Sequence, residues 1–196
     1  MNSKRFMSTK QMVLGAVMTA LVIIFQLLAT FTAFFGPFST AIALVPIAIG
    51  AALCGPVIGA WLGFVFGLVV LLSGGANLFL AFSVVGTIVT VVLKGVACGF
   101  VSGIVYKALR KKNDILAAVC AAIICPITNT GVFLLGSVTF FYNSAQQIGE
   151  LVGIKGAGFA VFWGLAMANF LFELGMCTVL SPVIVKVINI GNKQLK

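Results

Sequence analysis

The chain has 196 residues, of which 62% are hydrophobic and 8% charged, with a formal net charge of +9 and no histidine. An ordinary soluble domain carries roughly 25% charged residues, so this composition excludes one and reads as an integral membrane protein. No charged residue stands between Lys10 and Lys94, and a stretch of that length must hold several spans of roughly 20 residues each.

The apolar runs are continuous and do not alternate with period two, which favours a helical bundle over a barrel. A first helix is expected over residues 10–35, ended by Gly36 and Pro37. Its apolar run is longer than a signal-peptide core of about 7 to 15 residues, so it reads as a retained span although Lys4 and Arg5 precede it. A second helix over residues 38–54 closes at Gly55 and Pro56, and a third over 57–72 stops at Ser73, Gly74 and Gly75. Both are short for a full span, which implies little tilt or a locally thin bilayer. Residues 77–82 are expected to form an outer loop before a fourth helix over 83–109. A fifth over 114–141 carries Pro126 in its interior, and a sixth over 156–185 follows a polar external loop at 142–155.

The basic residues gather at the ends of these runs. Lys4, Arg5 and Lys10 precede the first, Lys107, Arg110, Lys111 and Lys112 follow the fourth, and Lys186, Lys193 and Lys196 follow the last. They form no aromatic-interleaved patch of the kind that binds nucleic acid, and they read as topology signals. Together these features predict one all-α membrane domain over residues 1–196, with six transmembrane helices and both termini cytoplasmic. Trp61 and Trp163 fit interfacial anchors.

Two glycine stripes stand out. Gly55, Gly59, Gly63 and Gly67 recur every four residues in the third helix, and Gly95, Gly99 and Gly103 do so in the fourth. Such spacing lets helix backbones approach closely, and tight internal packing is its plainest meaning. The five cysteines lie in apolar runs without CxxC spacing, so they read as small packing residues and not as metal ligands.

The one charge inside the long apolar run of residues 84–107 is Lys94. A lysine at mid-helix costs roughly 2.5 to 3.5 kcal/mol to place in lipid, so it is expected to face protein, water or ligand. Of the three acidic residues, Asp114 and Glu150 stand at segment ends and Glu173 lies inside another apolar run. Lys94 and Glu173 are each thirteen residues from the basic end of their helix, Lys107 and Lys186 respectively, about 20 Å deep and in one layer. Asn169, one turn from Glu173, Asn129 with Thr128 beside Pro126, and Gln26 on the first helix reach the same layer. One reading is a structural network in which Lys94 and Glu173 neutralise each other. The other is a polar pocket open to the outside, with Phe31, Phe34, Phe35, Phe38, Asn77, Phe79, Tyr142 and Asn143 about its mouth.

Enzyme chemistry lacks its parts. Without histidine the usual general base and zinc ligand are missing, Ser83, Ser102 and Ser137 have no base partner, and no phosphate-binding glycine loop is present. No cofactor is expected, and uphill transport would need a partner or an ion gradient.

With about 200 residues, six expected helices, basic ends and the Ala16-Val-Met-Thr-Ala20 segment on the first helix, the chain resembles the substrate-specific (S) components of energy-coupling factor (ECF) vitamin transporters. The Ile127-Thr-Asn-Thr-Gly131 and Asn169-Phe-Leu-Phe-Glu173 segments look like the riboflavin- and pantothenate-type branch. The resemblance implies a multi-pass subunit of a prokaryotic plasma membrane that captures a small water-soluble vitamin, pantothenate being the favoured case, from outside and topples to release it inside. It implies docking through Ala16 and Ala20 on a transmembrane scaffold subunit that carries two ATPases. Lys94, Asn129, Asn169, Glu173, Gln26, Asn77 and Thr128 would line the pocket. The rivals are riboflavin, folate or another vitamin as substrate, a stand-alone ion-coupled secondary transporter, and a purely structural subunit.

Overall fold

The computed structural model describes residues 8–32, 41–144 and 158–195. Among them the chain folds as α1 (Thr9–Thr32), α2 (Ala41–Cys54), α3 (Pro56–Leu72), the short α4 (Asn77–Leu80), α5 (Val84–Leu109), α6 (Asp114–Phe140) and α7 (Gly158–Leu195). Among the described residues four segments are long and apolar enough to cross a membrane: Thr9–Phe31, Val84–Leu109, Asp114–Phe140 and Ala166–Gly191. The apolar α2 and α3, of 14 and 17 residues, are shorter.

Local chemistry accounts for most boundaries. Pro56 opens α3 at its first position, where the missing N–H costs nothing, and Gly55 before it takes φ +94°, a left-handed conformation suited to glycine. Ser83 caps α5 by accepting from the Gly86 N–H at 3.1 Å. Asn113 caps α6 by accepting from the amides of Ile115 and Leu116.

Two expectations need adjustment. Residues 77–82 are no open loop: α4 occupies most of that segment and sets Phe79 against Phe133 and Phe141. The last helix does not stop near residue 185 but runs on to Leu195, past Pro182 and Lys186. Gly191 packs on Leu53 of α2, which gives this polar extension an apolar hold. The second helix also carries a buried proline, Pro46, in its interior. Residues 33–40 and 145–157, including the expected end of the first helix and most of the external loop, lie outside the described residues.

The core is built on the contact of α3 with α5. The two glycine stripes mesh with each other in antiparallel register. A Cβ on Gly59 would strike the carbonyl oxygen of Gly99 and one on Gly99 that of Gly59, and Gly63 and Gly95 stand in the same reciprocal relation. Above them a Cβ on Gly67 would lie 3.0 Å from the Val91 oxygen, and below them one on Gly103 would lie 2.6 Å from Pro56 Cα. Nothing but hydrogen fits between these backbones, a geometry in which weak Cα–H···O contacts and dispersion hold helices together.

Around this seam α5 packs on α6, where Gly86 abuts Phe140, Gly136 abuts Thr90, and Ser102 Oγ donates to the Ala121 carbonyl at 2.8 Å. Next, α6 packs on α7, α7 on α2, and α1 on both α2 and α3. On α1 the buried positions Gly15, Met18, Val22, Gln26 and Ala29 follow helical spacing. The opposite face exposes Met12, Val13, Val17, Ile24 and Leu28.

The seam makes a sharp prediction. Gly63→Val inserts a branched side chain against the Gly95 carbonyl and should lower stability by at least about 1–3 kcal/mol, the usual cost of overpacking. Gly175→Ala, where an added Cβ meets nothing within 4 Å, should be neutral or stabilising by up to about 1 kcal/mol. Thermal melts of the two detergent-purified variants would compare them, and equal melting temperatures would refute the account of the seam.

Candidate functional site

Four of the helices described above bring polar side chains into the interior of the bundle. On α7, Glu173 is 1% exposed and lies one turn after Asn169, whose Nδ2 donates to Glu173 Oε1 at 2.9 Å. Across the α6–α7 contact, Asn129 Nδ2 donates to Glu173 Oε2 at 3.4 Å. Each carboxylate oxygen therefore receives a side-chain amide, so the charge is buried with hydrogen-bond donors about it. Asn129 reaches this position from the turn after Pro126; Cys125, one turn earlier on α6, and Cys177, one turn after Glu173 on α7, are both buried.

Lys94 stands on α5, directly before Gly95 of the seam. Its Nζ lies 5.9 Å from the ring centroid of Phe66 on α3 and 5.2 Å from that of Phe133 on α6. Two aromatic faces thus hold the ammonium, an arrangement worth about 2 kcal/mol or more when desolvated. Among the described residues the ion pair within 4 Å is Arg110–Asp114 at a helix end, not Lys94–Glu173. Lys94 itself is partly exposed.

The ring of Phe133 links this cation to a second group of aromatics. Phe79 of α4 meets Phe133 edge-on with centroids 5.6 Å apart and Phe141 at 5.5 Å, and Phe82 joins the same cluster. The role of Phe133 and Phe66 escaped the sequence reading. Their spacing from Asn129, four residues, and from the glycines of α3 was the available signal.

The remaining expected residues fall in different places. Gln26 is buried on α1, 2% exposed, and its Nε2 donates to Thr30 Oγ1 at 3.4 Å, which in turn meets Ser73 Oγ at 3.0 Å. This is a separate α1–α3 link. Thr128 is partly buried beside Asn129, and Asn77 is exposed at the start of α4, against the Gly74 turn. Phe31 and Tyr142 are 78% and 65% exposed, whereas Phe34, Phe35 and Phe38 lie outside the described residues. Ala16 and Ala20 are both on the exposed face of α1.

Among the described residues, three buried side-chain polar atoms have no hydrogen-bond partner: Gln26 Oε1, Thr90 Oγ1 and Asn129 Oδ1. Two of them are amide carbonyl oxygens, which can only accept. Thr90 lies one turn from Lys94 on α5. A buried acceptor without a donor costs about 1–3 kcal/mol, so the interior holds acceptor capacity that the described residues do not satisfy. Among the described residues no group of three or more metal-ligating side chains occurs.

No curated protein and no solved structure matches the chain. The family described as "ECF transporter, substrate-specific component" matches over residues 10–185, which takes in the seam, the carboxylate with its two amides, and Lys94. Proteins of that family are substrate-binding transporter subunits and not enzymes. The chain belongs to the substrate-specific components of ECF transporters and is a substrate-binding, multi-pass membrane subunit.

Proposed function

We propose that this subunit captures a small water-soluble vitamin carrying an anionic group and several hydrogen-bond donors, with pantothenate as the favoured member of that class. The observation that carries this reading is the division of labour in the interior. The Glu173 carboxylate takes amides from Asn129 and Asn169, while the Lys94 ammonium sits between Phe66 and Phe133 and not within 4 Å of that carboxylate. An anionic ligand group would meet Lys94. Ligand hydroxyl or amide N–H groups would meet the unsatisfied acceptors on Asn129 and Gln26. Pantothenate offers a carboxylate, hydroxyls and an amide, which is the chemistry these groups ask for. Riboflavin and folate offer other combinations of donors, rings and acids, and both belong in the test.

In this reading the polar layer binds the vitamin from outside, and α4 with Phe79 and Phe82 lies over it. The six-helix, both-termini-inside topology in a prokaryotic plasma membrane fits the distribution of lysine and arginine. Energy would come from two ATPase subunits on a transmembrane scaffold, which docks on the exposed small-residue face at Ala16 and Ala20.

Four measurements test the reading. A panel of vitamins should yield one that raises thermal stability, by about 2.7 kcal/mol at about 100 times its dissociation constant. Lys94→Met should weaken that ligand roughly ten- to hundredfold, the worth of one charge-assisted hydrogen bond. Unchanged affinity would remove Lys94 from the site, and no response to any vitamin would overturn the capture role.

For the carboxylate, Glu173→Ala leaves both amides without their acceptor and should cost about 1–3 kcal/mol of stability. Glu173→Gln keeps one carbonyl oxygen and should cost less, as denaturation of the two variants would reveal. On the docking face, Ala20→Trp should leave vitamin binding unchanged while abolishing co-purification with the scaffold and ATPase subunits. Retained co-purification would place docking elsewhere.

A further inference from the structure

A cavity of about 310 Å³ opens at the basic end of the bundle, between Gln11 of α1, the corner at residues 54–56, and Gly103, Lys107 and Arg110 of α5. The corner accounts for the space. Gly55 takes a left-handed conformation in which an added Cβ would meet nothing within 4 Å, while Gly103 backs directly onto Pro56. At roughly 30 Å³ per water the volume is that of about ten water molecules, enough for a phosphoryl group and its ester arms.

The electrostatics of the lining have one sign. At Gly55 the carbonyl end of α2 and the amide end of α3 meet, so their partial charges offset each other. The side chains then decide. Lys107 is exposed, and no ion pair engages it among the described residues. Arg110 lies with its guanidinium 5.9 Å from the Tyr106 ring, and Asp114 meets it at Nε, 3.5 Å away. Asp114 is the acidic side chain described at this end, since Glu173 is buried in the interior. Gln11 adds a neutral side-chain amide. Because α3 has no side-chain cap, the backbone N–H groups of its first turn are further donors close by. Two cations and several neutral donors against one acid leave a net capacity for an anion. The cavity lies where α5 meets its run of basic residues, the level of a bilayer's headgroups.

We propose that this cavity binds a phosphoryl group, with Lys107 and Arg110 as its charged contacts and Gln11 as a neutral one. The phosphoryl group comes from the headgroup of an anionic phospholipid or from a free phosphate in solution. Neither source overlaps the vitamin site in the interior.

The test uses the full chain in maltoside micelles, free of phosphate, with either phosphatidylglycerol or inorganic phosphate added at matched ionic strength. Melting temperature is followed as a function of each. We expect a saturable rise, with half-saturation shifted about fivefold higher in Lys107→Gln and in Arg110→Gln. Both residues are exposed, so the variants should fold. Lys112→Gln, at the same end but outside the cavity lining, should respond as the wild type does. A response to phosphatidylglycerol alone identifies a lipid headgroup, and a response to inorganic phosphate as well identifies a free phosphoryl group. Absence of any saturable rise, equal responses in the wild type and the two cavity variants, or an equal loss in Lys112→Gln would each overturn the proposal.

Discussion

The backbone contact between α3 and α5 is the constraint on which the rest of the molecule depends. Without side chains at Gly59, Gly63, Gly95 and Gly99 the two helices approach until carbonyl oxygens meet Cα atoms. In a bilayer there is little hydrophobic gain from pairing helices, so such closeness supplies the attraction that burial supplies in water. The contact also has a directional effect. With Gly95 pinned against α3, its neighbour Lys94 is turned toward Phe66 and Phe133, away from lipid.

The interior separates its two charges by giving each a different kind of partner. Amides suit the carboxylate because they donate to its oxygens; aromatic rings suit the ammonium because their faces are negative. Had Lys94 and Glu173 closed on each other, the pair would have been self-sufficient. Instead the α6–α7 contact supports one charge and the α3–α5–α6 contact the other. A molecule placed between them would feel a dipole built into the protein before it arrives.

Much of this was legible in the sequence. Composition and the uncharged stretch before Lys94 required a helical membrane protein, Gly55-Pro56 marked the corner between α2 and α3, and the starts expected at residues 83 and 114 lie within a residue of those observed, where Ser83 and Asn113 prove to be the caps. The four-residue glycine spacing announced close packing. It did not say that the two stripes would face each other, since any small-residue stripe can pair with any other. The proximity of Glu173, Asn129 and Asn169 followed from counting depth along helices, but depth says nothing about azimuth. The rings of Phe66 and Phe133 therefore went unseen as partners of Lys94, among 18 phenylalanines of the same appearance. The length of α7 was misjudged because its extension, polar in composition, is held by tertiary contacts that composition does not announce: Ile188 buried in the core, Val187 packed against it and Gly191 on Leu53.

The glycine seam has an arithmetic of its own. In the observed register Gly59 faces Gly99 and Gly63 faces Gly95. Sliding α3 along α5 by one helical turn, about 5.4 Å, would instead oppose Gly59 with Gly103, Gly63 with Gly99 and Gly67 with Gly95. The slipped seam would have three glycine pairs where the native one has two. The stripes therefore specify that the helices touch but not where they stop. That decision belongs to larger neighbours: Pro56 lodged against Gly103 and Ile47 against Gly99 oppose displacement along the seam. On the other side of α5, Phe140 against Gly86 and the Ser102–Ala121 hydrogen bond fix it on α6. The smoothest surface in the bundle has its position dictated by its roughest ones.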